Sequence, residues 1–227
     1  PMGIDHTMPY IEARPSANNS SNVIYTLSDG SSTVWYGDSR AWRNSNPGNI
    51  RYTPFAKRHG AIGKAGGFAV FPDYDPGRAA LSALLRGPTY ANRTIFKAVK
   101  SYAPSFQNDT AQYRLLLAQF TGLDIDRKLN SLDDGEFEVL LDAIQRIEGW
   151  SVGEQKPVKK VIRTKRNKKR RLAEFLIEGS TDFVSLATAI QMAKNDDIEA
   201  VIVYTENGTV YLRDYPDSSS ADNFQSL

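Results

Sequence analysis

The sequence predicts an α+β protein with a larger domain over residues 23–152 and a small domain over 157–227. Two observations support this class. In the larger domain, short β-type segments come first and several amphipathic helical stretches follow. After Gly153 the order becomes strand, strand, helix, strand, strand. Residues 1–22 are polar and rich in Asn, Ser and Pro, which predicts a linker.

The larger domain is predicted to begin with a β-hairpin, formed by 23–27 and 33–36 around a Ser-Asp-Gly-Ser turn. Helices are predicted where apolar residues recur at helical spacing between capping or turn-forming residues. Their ranges are 75–85, 94–102, 109–120 and 134–148. Asp75 is the predicted N-cap of the first of these helices, with Pro76 as its first residue.

The small domain is predicted to be ββαββ. Strand-type segments at 158–164 and 172–177 flank a basic turn, and a helix follows at about 185–194. A second hairpin comes after the helix, because its Asn207-Gly208 pair favours a type I′ turn.

Composition limits the available chemistry. The chain has no cysteine, which removes thiolate nucleophiles and cysteine-ligated metals. His6 and His59 are the only histidines and are far apart in the sequence, so a histidine-rich metal site or a His-based triad is not expected. We therefore expect carboxylate chemistry without a metal or an organic cofactor. No apolar run approaches the length of a membrane helix.

The N-terminus lacks the basic and hydrophobic regions of a signal peptide, and we expect the chain to be part of a longer protein.

The most informative segment is the last predicted helix of the larger domain. Its apolar residues recur at helical spacing and are Phe137, Leu140, Leu141, Ile144 and Ile147. Glu148 follows Ile144 by four residues, so it shares the apolar face. Apolar surroundings favour the neutral form of a carboxyl group, and a neutral carboxyl can protonate a glycosidic oxygen. The alternative is an ordinary helix end with an exposed Glu148 and Gly149 as the C′ residue.

A loop at 43–52 is rich in amides and arginines. Amide side chains both donate and accept hydrogen bonds, as sugar hydroxyls and N-acetyl groups require. The candidate sugar-binding residues are Asn44, Asn46, Asn49 and Arg51. The alternative is a structural loop, in which Asn and Gly supply turns and positive φ angles.

The three tryptophans, Trp35, Trp42 and Trp150, lie in the hairpin, in the amide-rich loop and beside Glu148. Aromatic side chains offer rigid apolar area on which sugar rings can pack, so we predict that these residues bind glycan. The alternative is that they anchor loops to the body of the domain.

Residues 39–51, SRAWRNSNPGNIR, resemble the RxxNPGNIR signature of a lysozyme-like family. That family occurs in phage structural proteins and in the C-terminal domains of type VI secretion effectors. The resemblance covers roughly 23–152 through several short motifs in one order, which lie at 60–63, 66–72, 77–80, 102–104, 108–110, 113 and 147–150. Ser45 stands where the family has Asn, and Gln107 where it often has Glu.

The family is similar to peptidoglycan glycosidases of the lysozyme superfamily, in which a catalytic Glu ends a helix and a β-hairpin follows. Here the hairpin comes first, so the resemblance implies a circularly permuted order, which surface chain ends make physically acceptable. It implies that Glu148 is the general acid that cleaves β-1,4 bonds of peptidoglycan. Hydrolysis and lytic transglycosylation both stay open.

The second catalytic group stays open. A carboxylate on or after the hairpin would stabilise charge, attack the sugar or activate water. Asp38 is the better candidate and Asp29 the other, although both positions are also typical of Asx turns. Thr33 could instead hold a water, and Glu12 is an alternative acid that precedes the hairpin.

The resemblance also implies a setting. We expect an antibacterial type VI effector that is delivered to the periplasm or cell wall of target bacteria, with an immunity protein as a further partner. A phage virion lysozyme is the second choice. A non-catalytic glycan-binding or virion structural protein is the alternative from a different class.

The small domain resembles an uncharacterised bacterial family through 189–190, 201–203, 211–213 and 217–224. Its residues 156–171 hold ten Lys or Arg and no acid, whereas the rest of the chain has 18 basic and 26 acidic residues. This basic hairpin predicts binding to an anionic envelope polymer or to nucleic acid. A solvated pair of strands is the alternative.

Overall fold

The computed structural model contains both helices and sheets and describes residues 9–102, 110–215 and 224. The α+β class is therefore confirmed. The larger domain combines one sheet with a cluster of helices, and the chain then continues into a smaller C-terminal domain.

A six-stranded sheet forms one half of the larger domain in the described part of the chain. Its strands are β1 (Tyr10–Pro15), β2 (Val23–Leu27), β3 (Ser32–Tyr36), β4 (Gly63–Ala65), β5 (Phe68–Val70) and β6 (Glu154–Val158). They lie in the order β5-β4-β1-β2-β3-β6. β1 and β4 are parallel, and the other neighbours are antiparallel. The predicted hairpin is β2–β3, with Val23 paired to Trp35.

The predicted linker at 1–22 is wrong for its second half. Tyr10 and Ala13 are buried in β1, and the backbone of this strand pairs with β2. The segment lacks the regular alternation of apolar and polar residues that is typical of a strand, and it includes Pro15, so the strand was not predicted. Residues 1–8 of the predicted linker lie outside the described residues.

The predicted boundary at 153–157 also needs correction. β6 occupies this stretch and pairs with β3, from Tyr36 opposite Glu154 to Ser32 opposite Val158. Pro157 is tolerated there because β6 lies at the edge of the sheet. The edge strand of the sheet therefore follows the last helix of the larger domain in the chain.

The helices of the larger domain are α1 (Arg40–Arg43), α2 (Pro54–Arg58), α3 (Tyr74–Arg86), α4 (Ile95–Tyr102), α5 (Thr110–Thr121) and α6 (Asp134–Ile147). A 3-10 turn at Leu129–Ser131 precedes α6. The N-cap of α3 is Asp73, whose side chain accepts from the N–H of Tyr74, and not Asp75 as predicted. Leu81, Leu117 and Leu141 are buried in the core between these helices.

Both ends of α6 are capped. Asp133 and Glu136 form a capping box at its start, where each side chain accepts a backbone N–H. At its end, Gly149 has a φ of 77° and Trp150 N–H donates to the carbonyl of Gln145 at 3.1 Å. This is a Schellman motif, with Glu148 as the C-cap and Gly149 as the predicted C′ residue.

Within its described residues, the C-terminal domain has one strand more than predicted. Its elements are β7 (Val161–Arg166), β8 (Leu172–Ile177), β9 (Phe183–Ser185), α7 (Leu186–Lys194), β10 (Val201–Tyr204) and β11 (Val210–Arg213). β7, β8 and β9 form one sheet, β10 and β11 form another, and α7 packs against strands of both. The order is therefore βββαββ, because the short β9 precedes the helix.

The segment after β1 ties the two domains together. Asp196 is buried and accepts hydrogen bonds from the Ser16 hydroxyl and from the Asn22 amide. The Asn18 amide donates to the carbonyls of Ala193 and Ala200. The residues predicted as a flexible linker thus form a specific joint.

Among the described residues, no helix is both long and apolar enough to cross a bilayer. The same part of the chain contains no group of three or more His, Cys, Asp or Glu side chains arranged to hold a metal ion.

Candidate active site

The Glu148 carboxylate lies where the helical half of the larger domain meets its sheet, and both of its oxygens accept hydrogen bonds. The amide Nδ2 of Asn49 donates to Oε2 at 2.9 Å, and the hydroxyl of Tyr113 donates to Oε1 at 3.2 Å. Glu148 is half-buried, so its carboxylate is oriented by the protein while part of the residue remains accessible.

Asn49 is itself held firmly. It is buried, has a φ of 47°, and its backbone N–H donates to the carbonyl of Asn46 at 2.9 Å. Its Oδ1 accepts from Nε of Arg40 at 3.3 Å. An arginine can only donate and a carboxylate oxygen can accept, so Oδ1 toward Arg40 and Nδ2 toward Glu148 is the consistent orientation of the amide.

Asn44 and Asn46 build the loop instead of facing a glycan. Nδ2 of Asn46 donates to the carbonyls of Ile50 and Ala69 at 2.9 and 3.0 Å, and Oδ1 accepts from the N–H of Ile50. Nδ2 of Asn44 donates to two backbone carbonyls at 3.3 Å. Both residues are buried. Their amides hold the loop together, as the alternative interpretation expects, and do not face a glycan as predicted.

Close packing fixes this loop against α3. A Cβ at Gly77 would lie 1.9 Å from the carbonyl oxygen of Ser45, and one at Gly48 would lie 2.7 Å from a methyl group of Leu81. Neither position has room for a side chain. The loop that presents Asn49 is therefore held by its own amides and by direct contact with a helix.

Tyr113 is buried on α5, close to the C-terminal end of α6. Burial raises the pKa of its phenol far above the ordinary value, and the nearby Glu148 carboxylate raises it further. The hydroxyl is therefore a stable donor to the carboxylate at neutral pH.

Two arginines lie over one aromatic ring beside Glu148. The guanidinium carbon of Arg40 is 3.8 Å from the centre of the Phe68 ring, and that of Arg51 is 4.9 Å from it. Partial burial lowers the pKa of Arg40, the Glu148 carboxylate opposes this effect, and Arg51 adds to it. Arg51, a predicted substrate-binding residue, therefore lies in the same neighbourhood as Asn49 and Glu148.

The tryptophans divide into two groups. Trp35 and Trp42 are buried, and their ring centres lie 4.7 Å apart with the planes tilted by 31°. They anchor the loop and hairpin instead of offering free faces to a glycan. Trp150 is half-buried and meets the ring of Tyr74 edge-on at 5.1 Å. It is the tryptophan that remains a candidate for glycan contact.

Asp29 lies at the opposite end of β3 from the Glu148 region. Its carboxylate accepts from the backbone N–H and the hydroxyl of Ser31, which lowers its pKa. The hairpin turn lies near Lys160, whereas the chain leaving Glu148 joins the sheet beside Tyr36. The structure therefore does not bring Asp29 together with Glu148.

Asp38 lies just after β3, at the end of the sheet where the chain that follows Glu148 joins it. It is exposed and has a φ of 33°, and the neighbouring Ser39 hydroxyl donates to the carbonyl of Ser151 at 3.0 Å. Its backbone carbonyl accepts from Arg43. Asp38 is thus close in the fold to the segment that follows Glu148, and it is the better placed of the two predicted second groups.

The two alternative residues lie on strands of the sheet. Thr33 is buried within β3 and paired with Tyr25, and Glu12 is exposed on β1. The contacts of neither residue link it to Glu148.

Sequence reasoning missed two residues of this site. Tyr113 lies within the predicted helix 109–120 and Arg40 within the signature at 39–51, and the family resemblance includes both positions without giving either a role. Nothing in the local pattern distinguishes them, because their roles depend on a helix and a loop that are distant in the chain.

Comparison with known proteins informs the C-terminal domain. Residues 157–227 are similar to a family described as "Protein of unknown function (DUF3892)". The match covers less than half of the chain, and the description states no activity. A comparison with curated proteins finds no match.

Proposed function

We propose that the larger domain is a peptidoglycan glycosidase of the lysozyme type, with Glu148 as its acid–base group. The observation that carries this proposal is the half-buried carboxylate with a hydrogen bond on each oxygen, from Asn49 and from Tyr113. The family resemblance of residues 23–152 supplies the substrate class.

The proposed reaction begins with Glu148 in its neutral form. Its proton passes to the oxygen of the β-1,4 bond, the bond to the anomeric carbon breaks, and positive charge develops on that sugar ring. The resulting carboxylate then removes a proton from the group that attacks the anomeric carbon. Asn49 and Tyr113 donate to the carboxylate that forms, and thereby stabilise it.

The attacking group is water in a hydrolase and a hydroxyl of the same sugar in a lytic transglycosylase. The two outcomes differ by one water in the mass of the product. Asp38 is the candidate for positioning the water in the first case.

Digestion of purified sacculi with mass spectrometry of the soluble fragments tests the proposal. We expect wild-type protein to release muropeptides and Glu148→Gln to release none. Glu138→Gln is the matched control, because Glu138 is an exposed residue on the same helix. Absence of fragments from wild-type protein, with retained binding to sacculi, would instead support the alternative of a non-catalytic glycan-binding or virion structural protein.

We further propose that the activity is antibacterial and is exerted in the periplasm or cell wall of a target cell, with a cognate immunity protein. Production in a bacterium with and without an appended export signal tests this setting. Lysis is expected only on export, and Glu148→Gln should abolish it. Equal toxicity without export would contradict the proposed location.

For the C-terminal domain, we propose a targeting role through binding of a phosphate-bearing envelope polymer. A cleft of about 900 Å³ lies between the basic β7–β8 hairpin and the β10–β11 hairpin. Its walls include Arg166, Arg170, Arg171 and Arg213. Arginine suits this ligand because its planar group can donate two parallel hydrogen bonds to a phosphate.

Binding to teichoic acid, lipopolysaccharide and duplex DNA at several salt concentrations tests this role. We expect envelope polymers to bind wild-type protein and to lose affinity when Arg170 and Arg171 are both replaced by Gln. Lys194→Gln serves as a control on the exposed surface of α7. Preference for DNA would favour the nucleic-acid alternative, and binding of no polymer would overturn both.

A further inference from the structure

Arg40 and Arg51 are placed as a pair by a shared ring. Phe68 is buried on β5, and its backbone forms a β-bridge with Arg51. Both guanidinium groups lie within 5 Å of the centre of its ring, at 3.8 Å for Arg40 and 4.9 Å for Arg51. Stacking on an aromatic face fixes the plane of a guanidinium while leaving its edge N–H groups available.

The two charges are not neutralised by ion pairs within the described residues. Arg40 donates one hydrogen bond, from Nε to Asn49, and Arg51 makes no hydrogen bond or salt bridge from its side chain to the described part of the protein. Both residues are exposed by their accessible surface, although part of the Arg40 side chain is buried. Arg43, by contrast, donates to the backbone carbonyls of Gly37 and Asp38.

The positive charge of Arg51 acts against that of Arg40, and among the described residues the Glu148 carboxylate opposes this effect. When Glu148 is neutral, as the proposed first step requires, the neighbourhood carries two positive charges with no carboxylate charge from Glu148 to offset them. An anionic group on the ligand would relieve this repulsion at the moment of reaction.

We propose that Arg40 and Arg51 form a subsite for a carboxylate carried by the glycan substrate, beside the bond that Glu148 cleaves. This inference rests on the proposed function. It specifies that the substrate of the glycosidase is an acidic glycan. The carboxylate can come from the peptide stem or from the lactyl group of a strand whose stem has been removed. Neutral β-1,4 N-acetylglucosamine oligomers lack it.

Steady-state cleavage of three substrates tests the subsite: stem-bearing glycan strands, strands stripped of their stems, and neutral N-acetylglucosamine oligomers. We expect Arg51→Gln to raise KM about tenfold for the acidic strand whose carboxylate binds the subsite, with kcat nearly unchanged. A hydrogen bond to a charged group contributes a free energy that corresponds to a change in affinity of about this size. KM for the neutral oligomer should not change. Arg51→Lys should restore part of the loss because it keeps the charge.

Arg58→Gln is the matched control, an exposed arginine on α2, and it should leave all three substrates unaffected. If stripped strands alone depend on Arg51, the free lactyl carboxylate is the ligand, because an attached stem ties that group into an amide bond. If stem-bearing strands alone depend on it, the stem provides the carboxylate, and dependence in both means that the subsite accepts either one. Equal effects of Arg51→Gln on acidic and neutral substrates would overturn the subsite and leave the glycosidase proposal intact. Cleavage of none of the three by wild-type protein would overturn the glycosidase proposal, and the subsite with it.

Discussion

The side-chain amide of Asn49 donates a 2.9 Å hydrogen bond to Oε2 of Glu148, although the two residues are 99 positions apart in the chain. The same amide accepts from Arg40 through its oxygen. The amide-rich loop thus reaches the end of α6 through a single fixed side chain, and the position of the carboxylate depends on that loop.

Asn49→Asp should lower kcat more than Asn49→Gly. The Asp side chain keeps an acceptor for Arg40 but turns a carboxylate oxygen toward Glu148, whereas Gly removes the amide and tolerates the φ of 47°. Losing the donor should cost about tenfold to hundredfold in kcat. Asn130→Asp, at an exposed amide bonded to Asn92, is the control for an added charge. Full activity in both Asn49 variants would show that the contact has no functional role.

Tyr113→Phe should reduce activity. It should also make the free energy of unfolding depend less steeply on pH above pH 10. The pKa of Tyr113 is raised in the folded state above its ordinary value of 10.0, so the folded protein holds this proton more tightly than the unfolded chain does. The resulting stabilisation is present below pH 10 and is lost as the pH rises further. Chemical denaturation between pH 8 and about 11 measures the difference.

Tyr211→Phe is the control for this prediction, because Tyr211 is 41% exposed. Its stability curve should follow that of the wild-type protein. The prediction would be contradicted if the free energy of unfolding of Tyr113→Phe fell as steeply with pH above pH 10 as that of the wild-type protein.

Gly149→Ala should impair activity beyond its effect on stability. The φ of 77° at this C′ position strains any L-residue, at a cost of about 1 kcal/mol, and relief of the strain would displace Glu148. Gly122→Ala is a matched control: it has a φ of 66°, and an added Cβ at either glycine meets no atom within 4 Å. Gly122 follows α5 at the end opposite Tyr113, away from the carboxylate.

The two glycine variants should therefore unfold at similar denaturant concentrations and differ in kcat. Thermal or chemical unfolding, measured beside muropeptide release, separates strain from loss of positioning. Equal kcat values would mean that the C-cap geometry does not set the position of Glu148.

Asp196→Asn should weaken the joint between the two domains. Both oxygens of Asp196 accept hydrogen bonds, from Ser16 and from Asn22, and the substitution turns one acceptor into a donor. A loss of about 1–3 kcal/mol in the free energy of unfolding is expected. Asp182→Asn, at an exposed loop position, is the control. Unfolding at wild-type denaturant concentrations would show that the joint adds no stability.

Local patterns predicted α6 well. The residues at helical spacing, Phe137, Leu140, Leu141 and Ile144, are buried as expected, and Gly149 ends the helix. Such features depend on neighbours within one or two turns, so they can be read from a short stretch of chain. The hairpin β2–β3 was predictable for the same reason.

Long-range pairing was not predictable in this way. The positions of β6 are mostly polar and exposed, and β1 shows no regular alternation of buried and exposed positions. Each becomes a strand because its backbone pairs with another strand of the sheet. The buried roles of Asn44 and Asn46 likewise depend on backbone carbonyls up to 25 residues away. Sequence reasoning assigned these amides to a ligand, since it could not see which carbonyls they would meet.

Features with local causes can be read from the order of residues along the chain. These are the capped helix that ends at Glu148, the hairpin β2–β3, the amide-rich loop at 43–52 and the basic segment at 156–171. Which of these groups come into contact depends on how the chain folds. The fold set Asn49 and Tyr113 on the Glu148 carboxylate, left Asp29 at the far end of β3, and placed Arg40 and Arg51 on one ring. The reason is physical: hydrogen bonds and stacking act over a few ångströms, and packing alone brings residues so distant in the chain within that range.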